Sequence, residues 1–312
     1  MSLKIEFYKS ICNGHLESFK DLLKNFKNLN FLFDSGESLL HLATAYNQSN
    51  IIQFLVENGA DVNILNKENN APINSTILTN NLHCTKILID HGANLELIDS
   101  DTILNVFKKN NLDFISLILS QDLIFLNSAF LRSTIDYLSL DSLKLFHSNS
   151  FDLFNTDING SSLLHSLSSS SFDSQNNLDC ISYLVSQSLD INLHNKHFTT
   201  PLTLSMLNGN FSIFTHLLSL GADPHISNEF GDNILHLICK HNLSEFLPVL
   251  FQYDINLNIK NLLNQTPLDI ATNQKHYKIV DMFNSYINYK DLITLEHLPI
   301  KDTINKNIKQ KL

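Results

Sequence analysis

The stretch GESLLHLA at residues 36–43 decides the fold, because it returns twice along the chain with small changes. It reads GSSLLHSL at residues 160–167 and GDNILHLI at residues 231–238. In each copy a Ser or Asn precedes an apolar-Leu-His run, and such a side chain caps a helix by accepting a hydrogen bond from a free backbone N–H. The stretch therefore predicts a helix start that recurs along the chain.

Looser copies of this four-residue box extend the repeat over most of the sequence. The boxes begin at residues 38, 71, 102, 129, 162, 200, 233 and 266, so they lie 33, 31, 27, 33, 38, 33 and 33 residues apart. A period between about 20 and 50 residues indicates a repeat protein. The 8 glycines agree, since three precede a box, three open a Gly-Ala-Asn/Asp triplet and two follow an Asn. The boxes are Ser38–His41, Ala71–Asn74, Thr102–Asn105, Ala129–Arg132, Ser162–His165, Thr200–Thr203, Asn233–His236 and Thr266–Asp269.

A second apolar stretch follows the box within a repeat. In the second repeat, Ile51, Ile52, Leu55 and Val56 lie at helical spacing, and Gly59 supplies the left-handed residue that ends the helix. A helix pair of this length cannot bury its apolar faces alone, so neighbouring pairs must stack. We therefore predict an all-α repeat, a solenoid of helix-turn-helix pairs.

The boxes and the Gly-Ala-Asn/Asp triplets resemble those of the ankyrin repeat family along nearly the whole chain. The resemblance implies an ankyrin-repeat solenoid of about nine repeats with short β-hairpin fingers, irregular in the middle. The first repeat, Ile5 to about Leu32, lacks the box and begins directly with a helix. The predicted domains are a solenoid over 1–290, with an N-terminal arm at about 1–126, degenerate repeats at about 98–160 and a C-terminal arm at about 157–290, and a tail or capping helix at 291–312.

Three repeats depart from the regular spacing. The short spacings of 31 and 27 residues predict that repeats four and five have lost residues from their fingers, with a kink or altered twist near residues 98–135. Helices are still expected at 111–120 and 138–147. The spacing of 38 residues in repeat six predicts an inserted polar loop at 168–177.

Composition and charge exclude several classes of function. The net charge is 21 minus 31, or -10, and Arg132 is the only arginine, which argues against nucleic-acid binding. No apolar run approaches the ~18 residues of a membrane span, and the N-terminus does not resemble a secretory signal. The four cysteines lie too far apart in sequence for zinc-type pairs, and Cys84, Cys180 and Cys239 are expected in the core. They favour a reducing, cytoplasmic location, with delivery into a host cell left open. These cysteines are Cys12, Cys84, Cys180 and Cys239.

No sequence motif indicates catalysis. Phosphate-binding loops and the H-E-x-x-H, G-x-S-x-G and Cys-x-x-Cys patterns are absent from the sequence. His41, His165 and His236 occupy the box position where an imidazole is expected to bond the backbone and steady the turn. We therefore predict no enzyme, no catalytic residue, no cofactor, no metal site and no small-molecule substrate.

The ankyrin resemblance implies that a partner protein binds the concave surface formed by finger tips and first helices. The tips in repeats seven to nine carry Phe198, Phe230, Leu262 and Leu263. A solvent-facing apolar stripe marks a binding site, unless each ring packs on the next finger. The predicted partner-binding residues are Lys196, His197, Phe198, Leu207, Asn208, Glu229, Phe230, Asp232, Lys240, His241, Leu262, Leu263, Gln265, Asn273 and Gln274.

The predicted function is a non-enzymatic protein-protein interaction scaffold or adaptor. One alternative is a substrate adaptor of a ubiquitin ligase, because Leu298-Pro299 followed by Ile304, Ile308 and Leu312 at helical spacing faintly resembles F-box or SOCS-box tails. A second alternative is a microbial effector that acts on host proteins by binding. Usage rich in Asn, Ile and Lys with one Arg is typical of an AT-rich genome, which fits several amoebae, viruses and intracellular bacteria.

Overall fold

The computed structural model describes residues 2–24, 26, 28–120, 134–170, 175–253 and 255–296. Among these residues the regular elements are α-helices and three short 3-10 helices, and none is a β-strand. The chain divides into two units, Met1–Leu153 and Phe154–Leu312.

Unit 1 consists of paired helices that stack on one another. Its described helices are α1 (Ser2–Cys12), α2 (Leu16–Leu23), α3 (Leu39–Ala45), α4 (Ser49–Glu57), α5 (Pro72–Leu78), α6 (Leu82–Asp90), α7 (Ser100–Lys108), α8 (Leu112–Leu119) and α9 (Leu140–Ser148). The first helices α1, α3, α5 and α7 pack in one row, the second helices α2, α4 and α6 pack in another, and α8 packs on α9. This two-row stacking is what the repeat predicts.

Unit 2 repeats the same arrangement. Its described helices are α10 (Leu163–Ser168), α11 (Gln175–Ser186), α12 (Pro201–Leu207), α13 (Phe211–Ser219), α14 (Ile234–His241), α15 (Leu247–Leu250), α16 (Pro267–Asn273) and α17 (Tyr277–Glu296). The first helices α10 and α12 pack together, as do α14 and α16, while the second helices α11 and α13 form the other row.

The box starts the first helix of a repeat, as predicted. Ser38 precedes α3, and its Oγ accepts a hydrogen bond from His41 N at 3.2 Å. Thr266 precedes α16 and accepts from Asp269 N at 3.1 Å in the same way. Pro72 stands at the first position of α5, where its missing N–H costs nothing.

Repeat four departs from this rule and corrects one prediction. The box residue Thr102 does not cap the helix, because α7 already begins at Ser100 with Asp99 as its cap. Asp99 Oδ1 accepts from Thr102 N at 2.7 Å. The segment before it, Leu95–Leu97, is a 3-10 helix in place of a finger, so the chain enters the helix early. The predicted loss of the finger in repeat four is thus confirmed, as are the two helices predicted here, α8 and α9.

The core follows the apolar periodicity of the sequence. Ile51, Ile52, Leu55 and Val56 are all buried in α4, as their spacing predicts. Burial of one such side chain contributes about 1.5–3 kcal/mol. The largest fully buried side chains are phenylalanines, with Phe7, Phe19, Phe107, Phe114 and Phe146 in unit 1 and Phe214, Phe246 and Phe283 in unit 2.

The inserted segment of repeat six is more ordered at its ends than a polar loop. Ser168 ends α10 and Asn177 lies inside α11, and both side chains are buried. Asn210 of the next repeat donates Nδ2 to Ser168 O at 2.8 Å and to Ser170 O at 3.1 Å. The predicted loop at 168–177 is therefore corrected to a shorter connection held at its first end by the following repeat; residues 171–174 lie outside the described residues.

One further prediction changes at this level. The fingers are tight turns, because the described residues contain no strand where β-hairpins were predicted. The last helix, α17, runs to Glu296, into the segment predicted as a tail or capping helix. The box of repeat five, at 129–132, and most of the predicted tail, 297–312, lie outside the described residues. The kink near 98–135 and the two arms stay predictions.

Candidate functional site

Five fingers share one turn, which is built on the side chain of its first residue. In each, the Oδ1 atom of that residue accepts the backbone N–H groups two and four positions later at 2.8–3.1 Å. The first N–H also donates to the fifth carbonyl at 3.0–3.1 Å. Fingers three, six, seven, eight and nine are residues 66–70, 157–161, 195–199, 228–232 and 261–265, and finger two, 33–37, keeps the backbone bond alone at 2.8 Å.

The box histidines tie each helix start to the next finger. His236 Nδ1 accepts from Asn233 N at 3.2 Å, and its Nε2 donates to Gln265 O in finger nine at 3.1 Å. His41 and His165 make the equivalent pair of bonds. Burial lowers the pKa of His41 and of His236 below the ordinary value. Their predicted role as braces of the turn is confirmed.

Most of the predicted partner-binding residues lie on the surface of unit 2. Thirteen of the fifteen are exposed. Leu262 and Leu263 are the most open apolar pair, at 78% and 75% exposed, and Phe230 is 57% exposed. The other exposed members are Lys196, His197, Phe198, Leu207, Asn208, Glu229, Lys240, His241, Asn273 and Gln274.

Phe198 has an unusual backbone conformation for a bulky residue. Its φ is +54°, in the left-handed region, and its ring is 42% exposed. The ring stacks on His194 with centroids 5.4 Å apart. The same fourth position is held by Gly or Asn in the five other fingers, at Gly36, Asn69, Gly160, Gly231 and Asn264. A left-handed conformation costs an L-residue with a Cβ roughly 1–2 kcal/mol, so Phe198 is retained against a local folding cost.

Two predicted tip residues are corrected by the structure. Asp232 is only 5% exposed and lies at the base of finger eight, where its Oδ1 accepts from Asn261 Nδ2 at 2.7 Å. Gln265 is half-buried, and its carbonyl accepts the His236 bond. Both residues hold the fifth position, which closes the finger turn.

These two residues nevertheless join four exposed ones around a single cavity of about 160 Å³, here called the slot. The slot lies between fingers eight and nine and the ends of α14 and α16. Ile270 and Asn261 complete its wall beside the six predicted residues Asp232, Lys240, Leu263, Gln265, Asn273 and Gln274. The structure thus brings together six of the fifteen predicted residues, while those of repeat seven stand apart from the slot.

Fingers eight and nine are joined by their backbones. Leu262 N donates to Phe230 O at 2.9 Å. A Cβ atom at Gly231 would lie 3.0 Å from Leu262 N, so a side chain here would require the neighbouring backbone to shift. Fingers eight and nine thus meet through main-chain atoms, while the Phe230, Leu262 and Leu263 side chains stay largely in solvent.

One aromatic pair in unit 1 was missed by the sequence analysis. The hydroxyl groups of Tyr8 and Tyr46 lie 2.8 Å apart, and both side chains are exposed. Tyr46 follows the end of α3, the position that Asn208 holds after α12. Comparing this position across all repeats, and not only in repeats seven to nine, would have identified it.

Three of the four cysteines lie in the core. Cys84, Cys180 and Cys239 are buried, and burial raises the pKa of the Cys180 and Cys239 thiols to about 12. No group of three or more His, Cys, Asp and Glu side chains suited to a metal ion occurs in the part of the chain that the structure describes. Within that same part, every helix is too short or too polar to cross a membrane.

Comparison with known proteins agrees with this geometry. The family model described as ankyrin repeats (3 copies) matches residues 7–99 and 206–291. A putative ankyrin repeat protein of Acanthamoeba polyphaga mimivirus is 25% identical over 287 residues, which cover 90% of this chain. Ankyrin repeat and SOCS box protein 5 of Mus musculus is 28% identical over 30% of this chain. An ankyrin repeat protein of vaccinia virus (strain Copenhagen) is 31% identical over 28% of it.

The chain spans about a third or less of the length of these relatives. The matched stretches cover 32% of the mimivirus protein, 28% of the mouse protein and 14% of the vaccinia protein. The shared part is the repeat itself.

Proposed function

Because this chain belongs to the ankyrin repeat family, whose members typically bind other proteins, we propose that it is a non-enzymatic interaction scaffold or adaptor. The partner protein binds the finger tips and first-helix ends of repeats seven to nine. The ankyrin resemblance predicts that this surface is concave. One fold serves unrelated functions, so the proposal rests on the chemistry of this surface.

The proposal rests mainly on the backbone conformation and exposure of Phe198. An exposed ring in a left-handed conformation is a cost that the fold does not require, since Gly or Asn serves at this position in every other described finger. Strained residues concentrate at functional sites. The neighbouring tips at Phe230, Leu262 and Leu263 are apolar and exposed, as expected of the buried centre of a protein interface.

The test is the double substitution Phe230→Ser and Leu263→Ser in the full chain. Loss of two exposed apolar anchors weakens partner binding by about tenfold or more, while the free energy of unfolding changes by less than about 1 kcal/mol. The matched control is Ser35→Ala with Glu68→Ser, which alters the third positions of fingers two and three. Partner affinity is measured by titration with the protein that cross-links to the native chain in its own cells. Unchanged affinity together with a lowered midpoint of thermal unfolding would refute the proposal.

A second candidate function is a microbial effector that binds host proteins. It is favoured by the match to a mimivirus protein across 90% of this chain. Expression in a host cell distinguishes it, because an effector captures a host protein through Phe198 and Phe230. The ubiquitin-ligase adaptor rests instead on the tail at 291–312, and its test is whether removal of those residues abolishes recovery of ligase subunits.

The proposed location is a reducing compartment, the cytoplasm of the source cell or of a host cell. Cys12, Cys84, Cys180 and Cys239 form no disulfide in the structure, as expected where thiols stay reduced.

A further inference from the structure

We propose that the slot between fingers eight and nine receives one basic side chain, Arg or Lys, from the partner protein. Asp232 is the acceptor at its base. This inference rests on the proposed function and names the chemistry of the segment that binds there.

The size of the slot fits one side chain better than a small-molecule ligand. Its volume of about 160 Å³ is below the roughly 300–1,000 Å³ of ligand pockets. Side chains from two fingers and two first helices form its wall, and it lies beside the apolar tips at Phe230 and Leu262. A partner segment crossing these tips places one of its side chains over the slot.

The negative charge of Asp232 at the base of the slot favours a positively charged side chain. Asp232 is buried, and one of its carboxylate oxygens accepts from Asn261 Nδ2. No Lys, Arg or His nitrogen of the described residues forms an ion pair with it within 4.0 Å. A buried carboxylate without a counter-ion gains most from a cation that enters the cavity, since the low dielectric strengthens the pair.

Lys240 is the competing charge in the slot. It lines the same cavity and forms no ion pair in the part of the chain described here. Its side chain is exposed, so solvent and salt screen its charge far more than that of the buried Asp232. The net charge of -10 adds a long-range attraction for a basic partner.

The rest of the wall suits the stem and head of a basic side chain. Leu263 and Ile270 offer apolar surface to the methylene groups, and the side-chain amides of Gln265, Asn273 and Gln274 offer oxygen acceptors near the mouth. Arg and Lys bury their stems on apolar surface in this way while the charged head finds polar partners. We therefore expect the partner segment to carry one basic residue flanked by apolar residues.

The test is selection of random short peptides displayed on phage against the immobilised full chain, followed by titration of the best peptide. The selected peptides carry an Arg or Lys beside apolar residues, and its replacement by Gln weakens binding at least about tenfold. In the chain, Asp232→Asn keeps the shape of the slot and the hydrogen bond from Asn261. It removes most of the difference in affinity between the selected peptide and its Gln variant. Lys240→Gln, at an exposed position, strengthens binding about two- to threefold by removing a like charge.

The matched control is Glu229→Gln, the same charge change on an exposed tip outside the slot, which leaves the peptide affinity within about threefold. An acidic preference in the peptides, with Lys240→Gln weakening and Asp232→Asn strengthening binding, overturns the inference. So does selection of peptides without any charged residue. The proposed function fails separately, if the peptides bind equally well to the chain carrying Phe198→Ser and Phe230→Ser, which alters tips outside the slot.

Discussion

Finger three in unit 1 and finger nine in unit 2 have the same backbone turn but differ in the side chains at their tips. In both, an Asn opens the turn, and its N–H donates to the carbonyl of the fifth residue at 3.0 Å. The second position is Lys67 in finger three and Leu262 in finger nine. Lys67 Nζ donates to Asp34 O of the preceding finger at 2.6 Å, whereas the Leu262 side chain stays exposed.

The difference shows which residues the fold itself requires. Lys67 satisfies a carbonyl of its neighbour, so this tip is part of the stacking of fingers. Finger nine makes the contact with its neighbour through backbone, with Leu262 N bonded to Phe230 O, and the Leu262 and Leu263 side chains stay exposed. This difference supports the proposal that the apolar tips of unit 2 serve a partner protein.

The largest expected effect concerns the element common to both units, the box histidine. His41→Ala and His236→Ala each lower the free energy of unfolding by about 2–4 kcal/mol, because a buried N–H and a finger carbonyl both lose their partner. Urea denaturation of the full chain measures the effect. Similar losses in the two units indicate one shared scaffold, and a loss below about 1 kcal/mol at either site contradicts the bracing role.

The second-largest effect tests whether the close contact of finger eight with finger nine contributes to stability. Gly231→Ala lowers the free energy of unfolding by about 2 kcal/mol for two reasons. The added methyl group lies 3.0 Å from Leu262 N, and the backbone φ of +73° is unfavourable for alanine. Gly221→Ala is the matched control, because its φ is +93° but nothing lies within 4 Å of the added atom. Equal losses in both variants, again measured in urea, would show that the finger contact contributes nothing.

A smaller effect of opposite sign is expected in finger seven. Phe198→Gly raises the free energy of unfolding by up to about 1 kcal/mol, because it relieves the left-handed conformation. The same variant weakens partner binding if the ring is an anchor. The matched change in unit 1, Asn69→Gly, alters neither partner affinity nor, by more than a few tenths of a kcal/mol, stability. Lower stability of Phe198→Gly would mean that the ring serves the fold.

The smallest effect is a pH dependence of stability that both units share. Burial lowers the folded-state pKa of His41 and His236 below the ordinary value of 6.5. The unfolded chain therefore binds more protons as the pH falls through 6.5, and stability that is fully present above that pH declines below it. Thermal unfolding between pH 7.5 and 5.5 measures the decline, and His236→Ala should show a smaller one. A rise in stability on acidification would contradict the assignment.

The sequence predicts local features of this fold well. The cap at Ser38, the buried face of Ile51 to Val56 and the bracing histidines all depend on residues within one repeat or at a fixed period, so the pattern contains them. Thr102 was misassigned because its cap depends on the missing finger before it, which lets Asp99 start the helix first. Local pattern is sufficient only where the repeat is complete.

The candidate site was predicted in part, for a related reason. Exposure of Phe230 and Leu263 follows from their place in the turn. The burial of Asp232 does not, since it depends on Asn261 reaching across from the next finger. The left-handed conformation of Phe198 could have been predicted by aligning the fingers, because the other repeats place Gly or Asn there.

Site-specific photo-cross-linking tests the central claim most directly. A photoreactive residue is placed at Phe230 in one chain and at Glu68 in another, because both hold the third position of a finger, one in each unit. In the native cell, position 230 is expected to give a covalent adduct with one partner protein, and position 68 is expected to give none. Adducts with the same protein at position 68 and none at 230 would contradict the assignment of the partner surface to repeats seven to nine.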